Sequence, residues 1–541
     1  MRRQVCRRFL YTRIFPGRSG RIPTRKAEVN GMAKQHKRGV KLPVRVIFIA
    51  LLIGIQLAVL VASIYFLSYK AIWLYVLFEA VSICMVIYVV NQRKNPSYKI
   101  MWVLFILIFP LMGGVIYLFW GGGRVFPHLK KRMRRCEKEV RPVLRQDPRV
   151  ESRLEFVDML HARQSRYLRR ESGFPVYTAT SAEYFSPVEK GWPRLLEELE
   201  KAEHYIFIEF FILAQGKMWD SVHQILARKA AAGVDVRIIF DDFGSCTRQY
   251  RGFAKGLRAE GIQVSVFNPL RPSLDLFMNN RNHRKMVIID GKTAISGGFN
   301  IGDEYVNLWH VHGHWMDNLF ILKGDAVRSY LAMFCAMWSF ITRRKMDIRP
   351  CLTSCPAPAE GFVQPYCDGP LNDRNPAEGL YMQILNTAQR YVYITTPYLI
   401  LDSEMTTLLC LAAKSGIDVR IITPKIWDKW YVHPATQYSY EELLEAGVRI
   451  YEYTPGFIHS KIFVSDDRVA TVGTVNMDFR SFYFHFECGT WFSNMDVVGD
   501  IKADVLRIME KSEEIRLDKW RRRPLGMRLK QSILHLFAPF M

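Results

Sequence analysis

Two copies of one short motif, His-x-Lys-x-x-x-x-Asp, carry the residues best suited to chemistry. They comprise His283, Lys285 and Asp290 in the first copy, and His459, Lys461 and Asp466 in the second. On an extended strand, side chains two residues apart share a face, so the His and Lys of each copy should act together. An imidazole can attack phosphorus or exchange protons with an alcohol, and lysine neutralises phosphate oxygens. The pair of motifs predicts phosphodiester chemistry.

Glycine and asparagine recur after both motifs at matching spacing. The residues concerned are Gly297, Gly298 and Asn300 in the first copy, and Gly473, Thr474 and Asn476 in the second. Glycine permits close approach of the backbone, and an asparagine amide supplies neutral donors, so we expect these positions to contact the phosphate. One motif alone would be weak evidence, whereas two copies with matching neighbours indicate an active site.

The elements that must position these motifs are also duplicated. Residues 204–242 and 390–424 each read as a β-rich run, a helical run and a second apolar strand, and both contain Asp-Val-Arg-Ile-Ile. A further strand follows at 261–269 and at 447–455. Strands alternating with helices of this length favour βαβ units. The sequence predicts an α/β fold in which two repeats, each built around a largely parallel sheet, pack as a pseudo-dimer.

Three apolar runs precede the repeats, at Val46–Leu67, Ala71–Val90 and Ile100–Trp120. Each reaches the roughly 20 residues that a membrane-spanning helix needs. The positive-inside rule would place three basic segments in the cytoplasm, which three crossings do not allow; they are the N-terminal arm, the Arg93–Lys99 loop and the Arg124–Arg145 segment. Either one run is re-entrant or the body lies outside. We expect a multi-pass protein of the cell membrane with a cytoplasmic body, with the side, the number of crossings and a start at Met1 or Met32 left open.

The net charge of +24 is concentrated outside the repeats. Residues 1–45 carry +13, 121–145 carry +7 and 516–541 carry +6, whereas 146–515 carry about −5. Basic segments beside apolar runs fit anionic lipid headgroups, and they argue against a nucleic-acid groove through the body. The ten cysteines form no Cys-x-x-Cys pair, and His310, His312 and His314 lack an evident fourth zinc ligand. We therefore predict no metal and no cofactor.

These observations divide the chain into seven segments. They are a basic arm (1–45), a transmembrane region (46–120), a basic linker (121–175), a first repeat (176–348), a Pro-rich linker (349–365), a second repeat (366–515) and a basic amphipathic tail (516–541). The tail could lie on the bilayer or pack on the body.

At the motifs the sequence resembles the phospholipase D superfamily, and within it the bacterial cardiolipin synthases. The resemblance covers roughly residues 71–541 and includes R-N-H-R-K-M-V-I-I-D-G, S-G-G-F-N-I-G-D-E-Y and G-T-V-N-M-D-F-R-S-F-Y-F-H-F-E. It implies transfer of a phosphatidyl group between two phosphatidylglycerol molecules, with release of glycerol and without metal. One departure is that Gly298 and Thr474 stand where the family commonly has serine.

The resemblance also implies roles for individual residues. The two motif histidines would be the nucleophile and the acid/base, and we favour His283 as the nucleophile while leaving the assignment open. Glu304 and Glu487 would orient the histidines, and the motif lysines and asparagines would bind phosphate. Asp290 and Asp466 would organise strand and loop. Hydrolysis or transfer to another headgroup is the alternative function; a nuclease and a non-enzymatic membrane scaffold fit the apolar runs and intact motifs less well. The oligomeric state stays open.

Overall fold

The computed structural model describes residues 72–92, 95–121, 127–270, 279–371 and 375–540, with residues 51, 54, 55 and 58. The basic arm, Met32 and nearly all of the first apolar run, predicted at 46–67, lie outside the described residues. The described helices are α1 Ile72–Val90, α2 Pro96–Ile108, α3 Pro110–Ile116, α4 Pro127–Val140, α5 Pro148–Val157, α6 Met159–Ser172, α7 Val188–Glu200, α8 Lys217–Ala231, α9 Asp242–Ser245, α10 Phe253–Ala259, α11 Val327–Thr342, α12 Pro376–Thr387, α13 Ser403–Lys414, α14 Val432–Tyr438, α15 Tyr440–Glu445, α16 Phe479–Tyr483, α17 Val497–Glu510, α18 Leu517–Arg521 and α19 Leu525–Leu536.

Eighteen described strands build two large sheets, one for each repeat, and a small two-stranded sheet of β8 and β14. In the first repeat the strands are β1 Thr180–Phe185, β2 Tyr205–Phe210, β3 Asp235–Asp241, β4 Gln263–Phe267, β5 Arg281–Asn282, β6 Met286–Ile289, β7 Thr293–Gly297, β8 His314–Met316 and β9 Leu319–Gly324. In the second they are β10 Phe362–Asp368, β11 Tyr391–Thr395, β12 Asp418–Pro424, β13 Arg449–Tyr453, β14 Gly456–Ile458, β15 Ile462–Ser465, β16 Val469–Gly473, β17 His485–Ser493 and β18 Ser512–Ile515. The strand orders are β1-β9-β7-β6-β2-β3-β4 and β10-β17-β16-β15-β11-β12-β13-β18.

The prediction of largely parallel sheets is wrong, although the α/β repeats are present. Only β2–β3–β4 and β11–β12–β13 are parallel, and the other neighbours within the two sheet orders are antiparallel. The cause is a tight hairpin at the end of each motif. Asp290 and Gly291 have φ of 51° and 65°, and Asp466 and Asp467 have 57° and 62°. Two consecutive positive φ values make the turn that matches strand twist, so the chain reverses instead of crossing over.

The two repeats are joined through a shared core and through exchanged strands. Helix α11 is buried along most of its length, and its Phe334 stacks on Phe207 of β2 while Tyr330 bonds to Thr490 of β17 at 2.8 Å. In addition, β5 of the first repeat pairs in parallel with β17, and β14 of the second pairs in parallel with β8. β5 and β14 lead directly into the two motifs, so each motif follows a strand that pairs with a strand of the other repeat.

The third apolar run, predicted at 100–120 as long enough to span a membrane, with one re-entrant run as an alternative, is folded back on itself. Helix α2 ends at Ile108 and α3 begins at Pro110, which cannot continue the hydrogen-bond ladder of α2. A side chain on Gly113 would lie 2.7 Å from the Ile106 Cα, whereas seven residues of straight helix span about 10 Å. Among the described residues, no helix combines the length and the apolar character needed to cross a membrane.

The Pro-rich linker predicted at 349–365 contains the start of an edge strand. β10 begins at Phe362 and includes Pro365. Proline lacks an N–H donor, but an edge strand has one side that needs no partner, so proline is tolerated there. The proline content of this stretch favoured a linker, and the strand was therefore not predicted.

Candidate active site

Each motif histidine is oriented by a carboxylate from the opposite repeat. The Nδ1 atom of His283 lies 2.9 Å from both carboxylate oxygens of Glu487, and that of His459 lies 2.6 Å from Oδ2 of Asp317. The backbone repeats the exchange, because His283 N–H donates to the Phe486 carbonyl at 2.8 Å and His459 N–H to that of Met316 at 2.7 Å. The two half-sites therefore form one composite site.

Asp317, and not Glu304, occupies the second orienting position. Gly298 N–H donates to the Asn318 carbonyl, and Thr474 N–H donates to that of Cys488, so Asp317 and Glu487 precede equivalent residues. Glu304 instead lies in a 3-10 turn, Asp303–Val306, and forms an ion pair with Arg248. That turn directs its carboxylate to the β3–α10 segment, which corrects the expectation that Glu304 orients a histidine.

The motif lysines are buried beside the histidines and supply the positive charge of the site. Lys285 Nζ donates to the His283 carbonyl at 2.6 Å, and Lys461 Nζ donates to that of His459. Burial lowers the pKa of Lys285 to about 8 and that of Lys461 to about 7. Burial and the nearby lysines lower the pKa of His459 to about 4 and that of His283 well below its usual range. An anion bound here would relieve this clustered charge and raise the affinity of the imidazoles for protons.

The glycines that recur at matching spacing after the two motifs allow neighbouring backbone carbonyls and a carboxylate to approach closely, where a side chain would not fit. A Cβ on Gly297, where φ is 151°, would collide with the Asn318 carbonyl, and one on Gly473 with that of Cys488. A Cβ on Gly298 would collide with the Asp317 carboxylate that holds His459. Glycine is thus required where the orienting carboxylate approaches the chain.

Thr474 and the two asparagines differ in how their side chains are used. The Thr474 hydroxyl donates to the Glu487 carboxylate and to the Cys488 carbonyl at 3.1 Å, so it supports the residue that orients His283. Asn300 accepts from Ile212 N–H at 3.0 Å and donates to the Tyr305 hydroxyl at 2.8 Å. Oδ1 of Asn476 is buried without a hydrogen-bond partner among the described residues. Phosphate contact by these residues stays a prediction.

Asp290 and Asp466 close the turns at the far end of the motif strands. The Asp290 carboxylate accepts from the backbone N–H groups of Glu203, His204 and Tyr205 at 2.7–2.9 Å. Asp466 does the same for residues 389–391 at 2.8–3.0 Å. Seven residues of strand span about 20 Å, so these carboxylates lie far from their own histidines. Their contacts fit the predicted organising role.

The aromatic neighbours of the two histidines, which the sequence did not reveal, break the pseudo-symmetry. Trp315 and His485 stand two residues before the orienting carboxylates, and each ring centroid lies 5.4 Å from that of His459 or His283, respectively. Phe211 adds a ring contact to His283 at 5.0 Å. The Nδ1 atom of His485 is 3.6 Å from Glu487, and burial lowers the pKa of His485 to about 3.

His283, His485 and Glu487 also form the one cluster with metal-ligand spacing within the described ranges, with candidate ligand atoms within 4.8 Å of one another. Glu487 already accepts from Thr474 and lies beside His283, and two buried lysines stand close by. This charge favours an anion over a cation. The His310–His314 group does not share one strand face, because β8 begins only at His314, which bonds to the Tyr453 hydroxyl at 3.1 Å.

The chain is similar in sequence and in fold to proteins of known families. The family described as cardiolipin synthase, PLD-like domain, matches residues 195–338 and 381–509, and a family described as phospholipase D-nuclease N-terminal matches residues 80–122. An uncharacterised protein of Streptococcus mutans is 38% identical over 84% of this chain and 99% of its own length. A cardiolipin synthase of a Geobacillus species is 33% identical over 85% of this chain and 92% of its own. The crystal structure of a phosphatidylserine synthase from Haemophilus influenzae shares the fold, with a TM-score of 0.54 and 14% identity over 71% of this chain and all of that one.

Proposed function

Because this chain belongs to the cardiolipin synthase family of phospholipase D-like proteins, we propose that it joins two phosphatidylglycerol molecules into cardiolipin and releases glycerol. The observation that supports this best is the pair of exchanged His–carboxylate contacts. A carboxylate on Nδ1 leaves the Nε2 atom of each ring for chemistry at phosphorus. Within the described part of the chain, neither Nε2 has a hydrogen-bond partner.

In the first half-reaction, His283 Nε2 attacks the phosphorus of the donor lipid and forms a P–N bond. The P–O bond to glycerol breaks, and His459 donates its Nε2 proton to the departing oxygen. The carboxylate of Glu487 stabilises the positive charge that develops on the His283 ring. The ammonium groups of Lys285 and Lys461 stabilise the phosphate oxygens.

In the second half-reaction, the glycerol hydroxyl of another phosphatidylglycerol gives its proton to His459. Its oxygen attacks phosphorus, the P–N bond breaks, and His283 is released as a neutral ring. His459 is protonated again, so the cycle consumes no net proton. The same residue thus serves as acid and then as base, as microscopic reversibility requires.

The asymmetry of the two half-sites supports His283 as the nucleophile. Glu487 presents both oxygens to His283 and is fixed by Thr474, whereas Gly298 gives Asp317 no equivalent hydroxyl. Burial lowers the pKa of both histidines, so each ring is neutral before substrate binds and the distinction rests on these contacts. A ring that stays neutral can attack, and His459 is left to carry the proton that an anionic substrate draws in.

We also propose that an N-terminal hairpin, formed by helices α1, α2 and α3, and the tail hold the body at the bilayer. The hairpin exposes apolar side chains, among them Trp73, Val81 and Ile108. The tail helix α19 packs on α14 through His535, which stacks on Tyr438 at 3.9 Å, while Leu525 and Leu529 remain exposed. Apolar surfaces of this kind beside basic segments fit a lipid interface.

Labelled phosphatidylglycerol tests the reaction in the purified full-length chain. We expect cardiolipin and glycerol in equal amounts, whereas phosphatidic acid alone would replace synthesis with hydrolysis. The intermediate can be trapped with a phosphodiester whose leaving group needs no acid, such as p-nitrophenol. His459→Asn should then accumulate phosphorus-labelled protein that is stable to alkali, and His283→Asn should not. Labelling of His283→Asn instead would reverse the two roles.

A further inference from the structure

A cavity lined by basic side chains lies beside the active site, on the far side of the first motif from the two histidine–carboxylate pairs. It has a volume of about 510 Å³, within the range of sites for small ligands, and is lined by α4, α6, α11 and the residue between His283 and Lys285, Arg284. We infer that this cavity binds the phosphate group of an amphiphilic anion, separately from the lipid that reacts at the histidines.

Charge is the first argument for this assignment. Five cations line the cavity against two carboxylates, Glu137 and Glu171; the cations are Arg134, Lys138, Arg141, Arg170 and Arg284. Lys138 and Arg141 form no ion pair among the described residues, so their charge is not cancelled locally. An excess of positive charge converging on a concave surface attracts anions.

Burial is the second argument, because Arg284 is only 4% exposed. Its Nε donates to the Glu487 carbonyl at 3.3 Å, and its guanidinium lies over the Phe486 ring at 5.7 Å. The second repeat has Ser460 at the corresponding position, hydrogen-bonded to Thr395 at 2.9 Å. Arg284 also interacts with the buried carboxylate Glu209, which Thr395 replaces in the second repeat, so part of its charge is balanced on that side. Its guanidinium also lines the cavity, and a planar guanidinium fork suits phosphate.

The remaining lining indicates what else the ligand carries. Met133, Leu144, Phe174 and Met333 contribute apolar surface next to the cations. Such a mixed wall fits an anionic headgroup attached to apolar chain better than a bare ion. Helix α4, which supplies much of this wall, follows the apolar N-terminal hairpin after a short segment. The expected ligand class is an anionic phospholipid, and free phosphate shares its headgroup chemistry.

Equilibrium binding to the full-length chain in detergent tests the inference without relying on turnover. The probes are dihexanoyl phosphatidic acid, inorganic phosphate and the zwitterion dihexanoyl phosphatidylcholine. Wild-type protein should bind two molecules of the phosphatidic acid, one at the histidines and one in this cavity. The double variant Lys138→Ala/Arg141→Ala should weaken one of the two sites at least tenfold and change cardiolipin synthesis less than twofold.

Lys131→Ala/Arg145→Ala is the matched control, because it removes the same charge from exposed positions outside the cavity. It should leave both sites intact. A single site in the wild type, or equal weakening by both double variants, would overturn the inference. Equal binding of inorganic phosphate and phosphatidic acid at the cavity would retain an anion site but overturn the lipid as its ligand. Binding of the zwitterion with the same affinity would overturn charge as the basis.

Discussion

Removing the charge of one orienting carboxylate should slow turnover without unfolding the protein. In Asp317→Asn, the 2.6 Å contact to His459 would change from a charge-assisted hydrogen bond to a neutral one. Hydrogen bonds to charged groups contribute about 1.5–3 kcal/mol, and each 1.36 kcal/mol of transition-state stabilisation is tenfold in rate. We therefore expect kcat to fall roughly 10- to 150-fold. Glu487→Gln should cost a similar factor through His283.

Glu304→Gln is the control that separates the observed geometry from the expectation based on resemblance. Glu304 is also a buried carboxylate of the first repeat, but it pairs with Arg248 and not with a histidine. Its amide variant should lose less than threefold in kcat, even if its melting temperature falls. The assay is initial-rate cardiolipin synthesis at saturating phosphatidylglycerol, normalised to folded protein. A loss in Glu304→Gln that equals that in Asp317→Asn would refute the cross-repeat assignment.

Three further predictions follow from the same contacts. Burial lowers the pKa of His459 from 6.5 to about 4, so between these pH values the unfolded chain binds a proton at this ring that the folded chain does not. The free energy of unfolding should therefore fall by about 3 kcal/mol from this group as the pH drops from 6.5 to 4. Thermal unfolding of His459→Gln should show a shallower pH dependence than that of the wild type. Asp466→Ala should lower the melting temperature, because three backbone donors lose their acceptor, yet reduce kcat of the folded fraction less than tenfold; a larger loss of kcat would assign Asp466 a direct part in the reaction. Thr474→Ala should slow turnover about tenfold and Thr474→Ser should restore it, whereas equal rates in both would show that the hydroxyl does not support Glu487.

The sequence predicted the features that repeat at fixed spacing. The two motifs and the duplicated βα units depend on local periodicity, which one chain displays directly. Asp290–Gly291 is an Asp-Gly pair, which is common in hairpin turns, and it makes β6 and β7 antiparallel although alternating strands and helices favour parallel neighbours. The sequence left open which of the three apolar runs, if any, turns back, because composition does not show that Gly113 packs against Ile106.

Contacts between the repeats could not be read from spacing. Asp317 and His459 are 142 residues apart, and nothing along the chain marks them as partners. The orienting carboxylate follows Asn476 by eleven residues but Asn300 by seventeen, since the first repeat has a longer loop before β8. The resemblance therefore suggested Glu304, an acidic residue closer to Asn300 along the chain, in place of Asp317. The equivalence of Asp317 and Glu487 is visible only in the structure, where Gly298 and Thr474 make matching backbone hydrogen bonds to the residues that follow them.

The exchanged strands have a consequence for how activity arises during synthesis. When the first repeat leaves the ribosome, β5 and β8 have no partner strands, and His283 has no carboxylate. The partner of β8 is β14, and the partner of β5 is β17, which also carries Glu487; all three are made with the second repeat. A nascent or truncated chain that lacks β17 therefore has an incomplete site around His283. By the same logic, an ancestor with a single repeat would have needed a second copy of itself to complete either half of the site.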